Sequence, residues 1–102
     1  MRTAPIANRV LCDMSEIFRL LGDPTRLGIL LCCLEEAKAV GRIADELSLQ
    51  QTSVSRHLRL LRGAGLVARE RDGKWVFYRV GDDHVRSILA NVVAHLDEEA
   101  DV

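Results

Sequence analysis

A chain of 102 residues, 48% of them apolar and 28% charged with a net charge of −1, suits one folded domain and excludes a disordered polypeptide. No apolar run approaches the ~20 residues that span a bilayer, and the opening MRTAPIANRV has no continuous apolar stretch after Arg2, which argues against a membrane anchor or a signal peptide. Three cysteines cannot all pair within one chain, and with nothing secretory in the pattern they point to a reducing cytoplasm.

Val10, Met14, Ile17 and Leu21 recur at helical spacing and predict helix over 7–21, in one piece or two. Gly22 ends it, Asp23 caps a second helix, and Pro24 suits that helix's first turn. Leu27, Leu30, Leu31 and Leu34 then form an expected core stripe. A third helix, over 40–47, carries Val40, Ile43, Ala44 and Leu47; SLQQ is a tight turn; a fourth helix, over 51–63, turns Val54, Leu58 and Leu61 inward and stops at GAG. The period changes in LVARERDGKWVFYRV, two β-rich runs around Asp72-Gly73, the dipeptide that best suits a type I′ hairpin turn. A last helix, over 83–98, carries Val85, Ile88, Leu89, Val92 and Leu96. The fold class is therefore mainly α with a small β-hairpin wing, one winged helix-turn-helix domain over 1–102.

The total charge hides a strong asymmetry. Residues 51–79 hold Arg56, Arg59, Arg62, Arg69, Arg71, Lys74 and Arg79 against Glu70 and Asp72, a local +5, whereas 80–102 hold only Arg86 against six carboxylates, a local −5. A polyanion responds to the local field. At ~100° per residue the apolar side of helix 51–63 lies opposite Thr52, Arg56 and Arg59, with Ser53 and Ser55 to either side. Small hydroxyls at a helix start reach base edges and phosphates, and arginine grips guanine or phosphate. In the hairpin, Arg69, Arg71, Lys74 and Arg79 are placed to flank a duplex. His57 lies nearer the core side, which suits a structural role better than base contact.

LLGDPTRLGILLCCL followed by VSRHLRLLRGAGLVARERDGKWVFYRV closely resembles the ArsR/SmtB family of bacterial winged-helix repressors, over about residues 14–98. The resemblance implies a homodimer with the first and last helices at the interface, and double-stranded DNA as partner. It places Gln51, Thr52, Ser55 and Arg56 where family members touch DNA. Two positions depart from the family pattern: Gln50 stands where a helix-capping serine is common, and Ser48 where glycine or asparagine is common.

The last helix carries His84 and His95 eleven residues apart, close to three full turns, so they share a face but stand ~16 Å apart along the axis. With Zn–N bonds of ~2 Å, no ion takes both from one chain. Glu98 lies three residues after His95, and Asp82 two before His84. Two copies antiparallel about a two-fold axis bring Asp82 and His84 of one subunit to His95 and Glu98 of the other, giving two symmetric sites. The family's metal site has the pattern Asp-x-His-x10-His-x2-(Glu or His), which this chain fits at those four residues. Nitrogen and carboxylate ligands suit Zn(II), with Co(II) or Ni(II) as competitors. The plain alternative is a helix N-cap, a polar edge and a solvated acidic end.

Cys12, Cys32 and Cys33 offer a rival, a thiol sensor of oxidants or thiophilic metals, or they simply fill core space. The family's cysteine pair before the DNA-reading helix would fall at Ala39 and Gly41 and is absent. No nucleophile elbow, phosphate loop or paired carboxylates suggest an enzyme. The resemblance implies a metal-free dimer on a palindromic operator that lets go when metal binds, the second ring nitrogen of a histidine passing the change to backbone near Ala64 and Gly65. A winged helix that mediates only protein contact would instead fail to bind DNA at low salt.

Overall fold

The computed structural model describes residues 6–100; Asp101, one of the carboxylates of the acidic end, lies outside them. α1 (Asn8–Leu21) ends where the Gly22 N–H donates to the carbonyls of Phe18 at 2.9 Å and Arg19 at 3.3 Å. Asp23 accepts from the Arg26 N–H at 2.9 Å and Pro24 opens α2 (Pro24–Cys32), so the break and restart rest on a capping carboxylate and a residue that needs no N–H partner. That same Arg26 N–H holds the Asp23 carboxyl below its ordinary range.

α3 (Val40–Leu47) and α4 (Gln51–Gly63) are joined by a turn in which Ser48 takes the left-handed conformation at φ 56° and the Leu49 N–H returns to the Ala44 carbonyl at 2.9 Å. Gln50 makes no side-chain cap for α4. Gln50→Ser is therefore expected to stabilise the protein by about 1 kcal/mol by giving the first α4 amides an acceptor, seen as a rise of a few degrees in thermal midpoint. An unchanged or lower midpoint would show that this backbone cannot aim a seryl hydroxyl at them.

β1 (Val67–Asp72) pairs antiparallel with β2 (Trp75–Val80), from Val67↔Val80 to Asp72↔Trp75, across Gly73 at φ 62°. At its base β2 gains a second partner: Lys38 and Tyr78 exchange both backbone hydrogen bonds, at 2.9 and 2.8 Å. α5 (Asp83–Ala100) follows, its start capped by Asp82, which accepts from the Val85 N–H at 2.9 Å.

One core joins these elements, built on Ile29, Leu30, Ile43, Val54, Leu58, Leu61, Leu66 and Val80. The expected stripe on α2 holds at Leu30, which is buried, and partly at Leu27 and Leu34, but Leu31 is exposed. It turns instead toward a groove of about 280 Å³ between α1, α2 and α5, lined also by Phe18, Ile88, Val92 and Leu96. α5 gives the core only Leu89, with Val85 half-buried. Among the described residues no helix is long and apolar enough to cross a membrane.

Candidate nucleic-acid interface and metal ligands

α4 sorts its side chains as its periodicity dictates. Val54, Leu58 and Leu61 are buried, while Gln51, Thr52, Ser55, Arg56 and Arg59 line one concave surface. The Gln51 amide lies over the start of α3, 3.4 Å from where a Cβ on Gly41 would stand. Ser53 is half-buried and stands apart from this set. His57 faces inward: it is half-buried, and its Nδ1 is shielded from solvent with no protein partner among the described residues.

The hairpin extends this surface. Ser55 and Arg59 of α4 share a cleft with Arg69 and Tyr78, so reading helix and wing form one continuous basic face. Arg71 and Lys74 are exposed near the tip. Arg79, expected to flank a duplex, is engaged internally: its guanidinium is paired with Glu70 and donates to the Val80 carbonyl at 3.2 Å. Register explains it, because Glu70 and Arg79 sit diagonally on one face of the pair, within reach of long side chains.

The four residues singled out by spacing, Asp82 just before α5 and His84, His95 and Glu98 on it, lie at the two ends of the helix. The His84 side chain is 96% exposed, its Nδ1 3.9 Å from Asp82 Oδ1. His95 Nε2 lies 3.5 Å from Glu99 Oε1, so the rotamers pair it with the carboxylate at i+4 rather than with Glu98 at i+3. Among the described residues no three His, Cys, Asp or Glu side chains converge within one chain. A spacing of three turns dictates as much. Both ends nevertheless fit a divalent cation: each offers an imidazole beside a carboxylate, on side chains with room to turn.

Three features carry no local sequence signal. The Arg86 guanidinium donates to the Leu34 carbonyl, tying the start of α5 to the segment after α2. Lys38 supplies the bridge to β2. Its ammonium meets Glu46 at 2.9 Å and Cys32 Sγ at 3.6 Å. Of the cysteines, Cys12 is exposed on α1, Cys32 is half-buried, and Cys33 is core, where burial pushes its thiol up to about 12.

A reading helix after a tight turn, with a basic hairpin beside it, defines a winged helix-turn-helix DNA-binding protein. The helix-turn-helix domain family matches residues 21–70. The chain is 38% identical over 97 residues to the HTH-type transcriptional repressor SmtB of Mycobacterium tuberculosis, covering 95% of this chain and 72% of that protein. It is 36% identical over 89 residues to the HTH-type transcriptional regulator KmtR of the same organism, covering 87% and 68%. It also superimposes at a TM-score of 0.83, with 28% identity and 96% and 94% coverage, on a homodimeric winged helix-turn-helix DNA-binding domain from Mycobacterium bovis, a possible ArsR-family regulator. The chain belongs to the ArsR/SmtB family of transcriptional regulators, and is not an enzyme.

Proposed function

We propose that this protein is a homodimeric repressor that binds a palindromic operator without metal and releases it when a divalent cation is held between two copies of α5, Zn(II) ahead of Co(II) or Ni(II). The observation that carries this reading is the makeup of α5. Its outward side is an uncovered apolar stripe of Ile88, Val92 and Leu96, continuous with Phe18 of α1. Histidine and carboxylate stand at both ends of it. A contiguous uncovered apolar stripe suits an interface, and antiparallel packing of two such helices about a two-fold axis sets the start of one against the end of the other.

In that arrangement Asp82 and His84 of one subunit, with His95 and Glu98 of the second, hold the ion through two nitrogens and two oxygens, a set suited to tetrahedral Zn(II). The bound ion supplies a tie between subunits that selects one dimer geometry. Asp82 Oδ1 accepts the capping bond from the Val85 N–H, which leaves its second oxygen for the ion. Arg86 links the α5 start to the segment that runs on to Lys38 and the wing. A geometry that mis-spaces the two α4 helices weakens their simultaneous entry into successive major grooves. Metal and DNA must then weaken each other by the same factor.

Gel shift with and without zinc tests this, on a duplex selected by the protein from random sequence. Loss of the shifted band with zinc is expected; undiminished binding at saturating zinc would overturn metal-induced release. Arg56→Ala is expected to lower affinity at least about tenfold and, where Arg56 meets phosphate, to reduce the salt slope by about 1. Wild-type affinity in that variant would remove Arg56 from the interface. The thiol alternative predicts the opposite pattern, release by oxidant that is lost in Cys12→Ser or Cys32→Ser and indifferent to His84→Ala.

A further inference from the structure

The start of α5 has two sides. His84 faces outward, its side chain 96% exposed. Arg86 lies two positions further on, ~200° round the helix, and turns back to its own chain. Its guanidinium donates to the Leu34 carbonyl, just past the end of α2, and Asp83 Oδ1 stands 3.9 Å from its Nε. A short segment then runs to Lys38, which exchanges both backbone hydrogen bonds with Tyr78 and meets Glu46 of α3 at 2.9 Å. Tyr78 in turn lines a cleft with Ser55 and Arg59 of α4 and Arg69 of β1. One arginine and a short stretch of backbone thus connect the histidine end of α5 to the basic face.

α5 has one other fixed point nearby. The Gly81 N–H donates to the Leu66 carbonyl at 2.9 Å, and there is no room for a Cβ on Gly81 beside the Gly65 carbonyl. A crossing packed that closely cannot slide, so it acts as a pivot. Arg86, one turn into the helix, is then the lever: a tilt of α5 about Gly81 pulls or slackens the segment it holds. Leu89 and half-buried Val85 are small restraint on such a tilt. The guanidinium also stands on the side away from His84, which keeps its charge off the edge that takes a cation. We infer that Arg86 passes the state of α5 to the DNA-binding face, holding residues 34–38 and with them the base of β2. Arg86 touches neither ion nor DNA and acts through Leu34. This rests on the metal-release reading and names the residue through which release is transmitted.

The test is Arg86→Met, which keeps the aliphatic stem and removes the donors, beside Arg86→Lys. Zinc affinity is measured without DNA by competition with a chromophoric chelator. Affinity for a selected duplex is measured by anisotropy, without zinc and at saturation. Arg86→Met should bind zinc, and metal-free DNA, within about twofold of wild type, while the factor by which zinc weakens DNA binding falls at least about fivefold. Arg86→Lys, a single ammonium in place of the planar fork, should keep part of that factor. In the metal-free protein the Lys38 and Tyr78 amides should exchange hydrogen about tenfold faster in Arg86→Met, a readout that needs no ion. Thermal melting confirms that both variants fold. A full zinc effect in Arg86→Met, or unchanged exchange at those amides, would overturn the assignment and leave the crossing of Gly65 and Gly81 as the route. Weakened zinc binding in Arg86→Met would overturn it too, by making the residue part of the ion's own site. A wild type that binds zinc and still holds DNA would sink metal-induced release itself, and this role with it.

Discussion

His95→Ala is expected to abolish the zinc response while leaving metal-free operator binding intact. His95 lies on α5, outside the α4 surface, and its side chain is 65% exposed beside Glu99, so its loss removes neither a DNA contact nor a core contact. In the wild type, saturating zinc should lower operator affinity by roughly 5- to 150-fold, the range of a coupling of about 1–3 kcal/mol. At the same buffered free zinc, the variant should lose less than about twofold. Anisotropy titrations of a selected duplex at fixed free zinc measure both numbers. A variant that still releases DNA with zinc would move the effector site off this helix. Glu98→Gln and Glu99→Gln refine the result: the sequence pattern assigns the ligand to Glu98, whereas the rotamers favour Glu99, and the variant that loses zinc sensitivity names the carboxylate.

Gly81→Ala is expected to destabilise the protein by about 2–4 kcal/mol, the scale of an overpacked site whose obstacle is backbone. A Cβ there would stand 2.3 Å from the Gly65 carbonyl oxygen. The neighbours cannot yield easily: Gly65 sits at φ 77°, and the Gly81 N–H donates to the Leu66 carbonyl at 2.9 Å. The exits of α4 and of the wing cross at this point without space between them. Gly63→Ala is the control, since a Cβ at Gly63 meets nothing within 4 Å, and its stability should stay level or rise slightly. Urea unfolding of both variants decides the matter. A Gly81→Ala protein within about 0.5 kcal/mol of wild type would mean that the crossing relaxes at little cost.

Much of the architecture was legible in the residues because local chemistry decides it. Gly-Asp-Pro separates α1 from α2, Asp-Gly sets the hairpin, and Asp82 caps α5, each through contacts within a few positions. Leu31 was misread because a helical stripe cannot say whether its edge meets the core or an open groove. The bridge from Lys38 to Tyr78 and the bond from Arg86 to Leu34 span 40 and 52 positions, and no periodicity encodes such meetings. Arg79 looked free for DNA because pairing with Glu70 depends on strand register. The four α5 ligand candidates were legible as a spacing, yet a single chain cannot bring them together: a helix keeps positions three turns apart at a fixed distance.

The slight attachment of α5 has a consequence for how the molecule holds together. Leu89, Val85 and the Arg86 tether are modest anchorage for an 18-residue helix, and its acidic last turn opposes the helix dipole. Left alone at high dilution, the C-terminal turns should fray and exchange their amide hydrogens rapidly. Association and helix ordering thus become a single equilibrium, so protein concentration enters the stability of the whole fold.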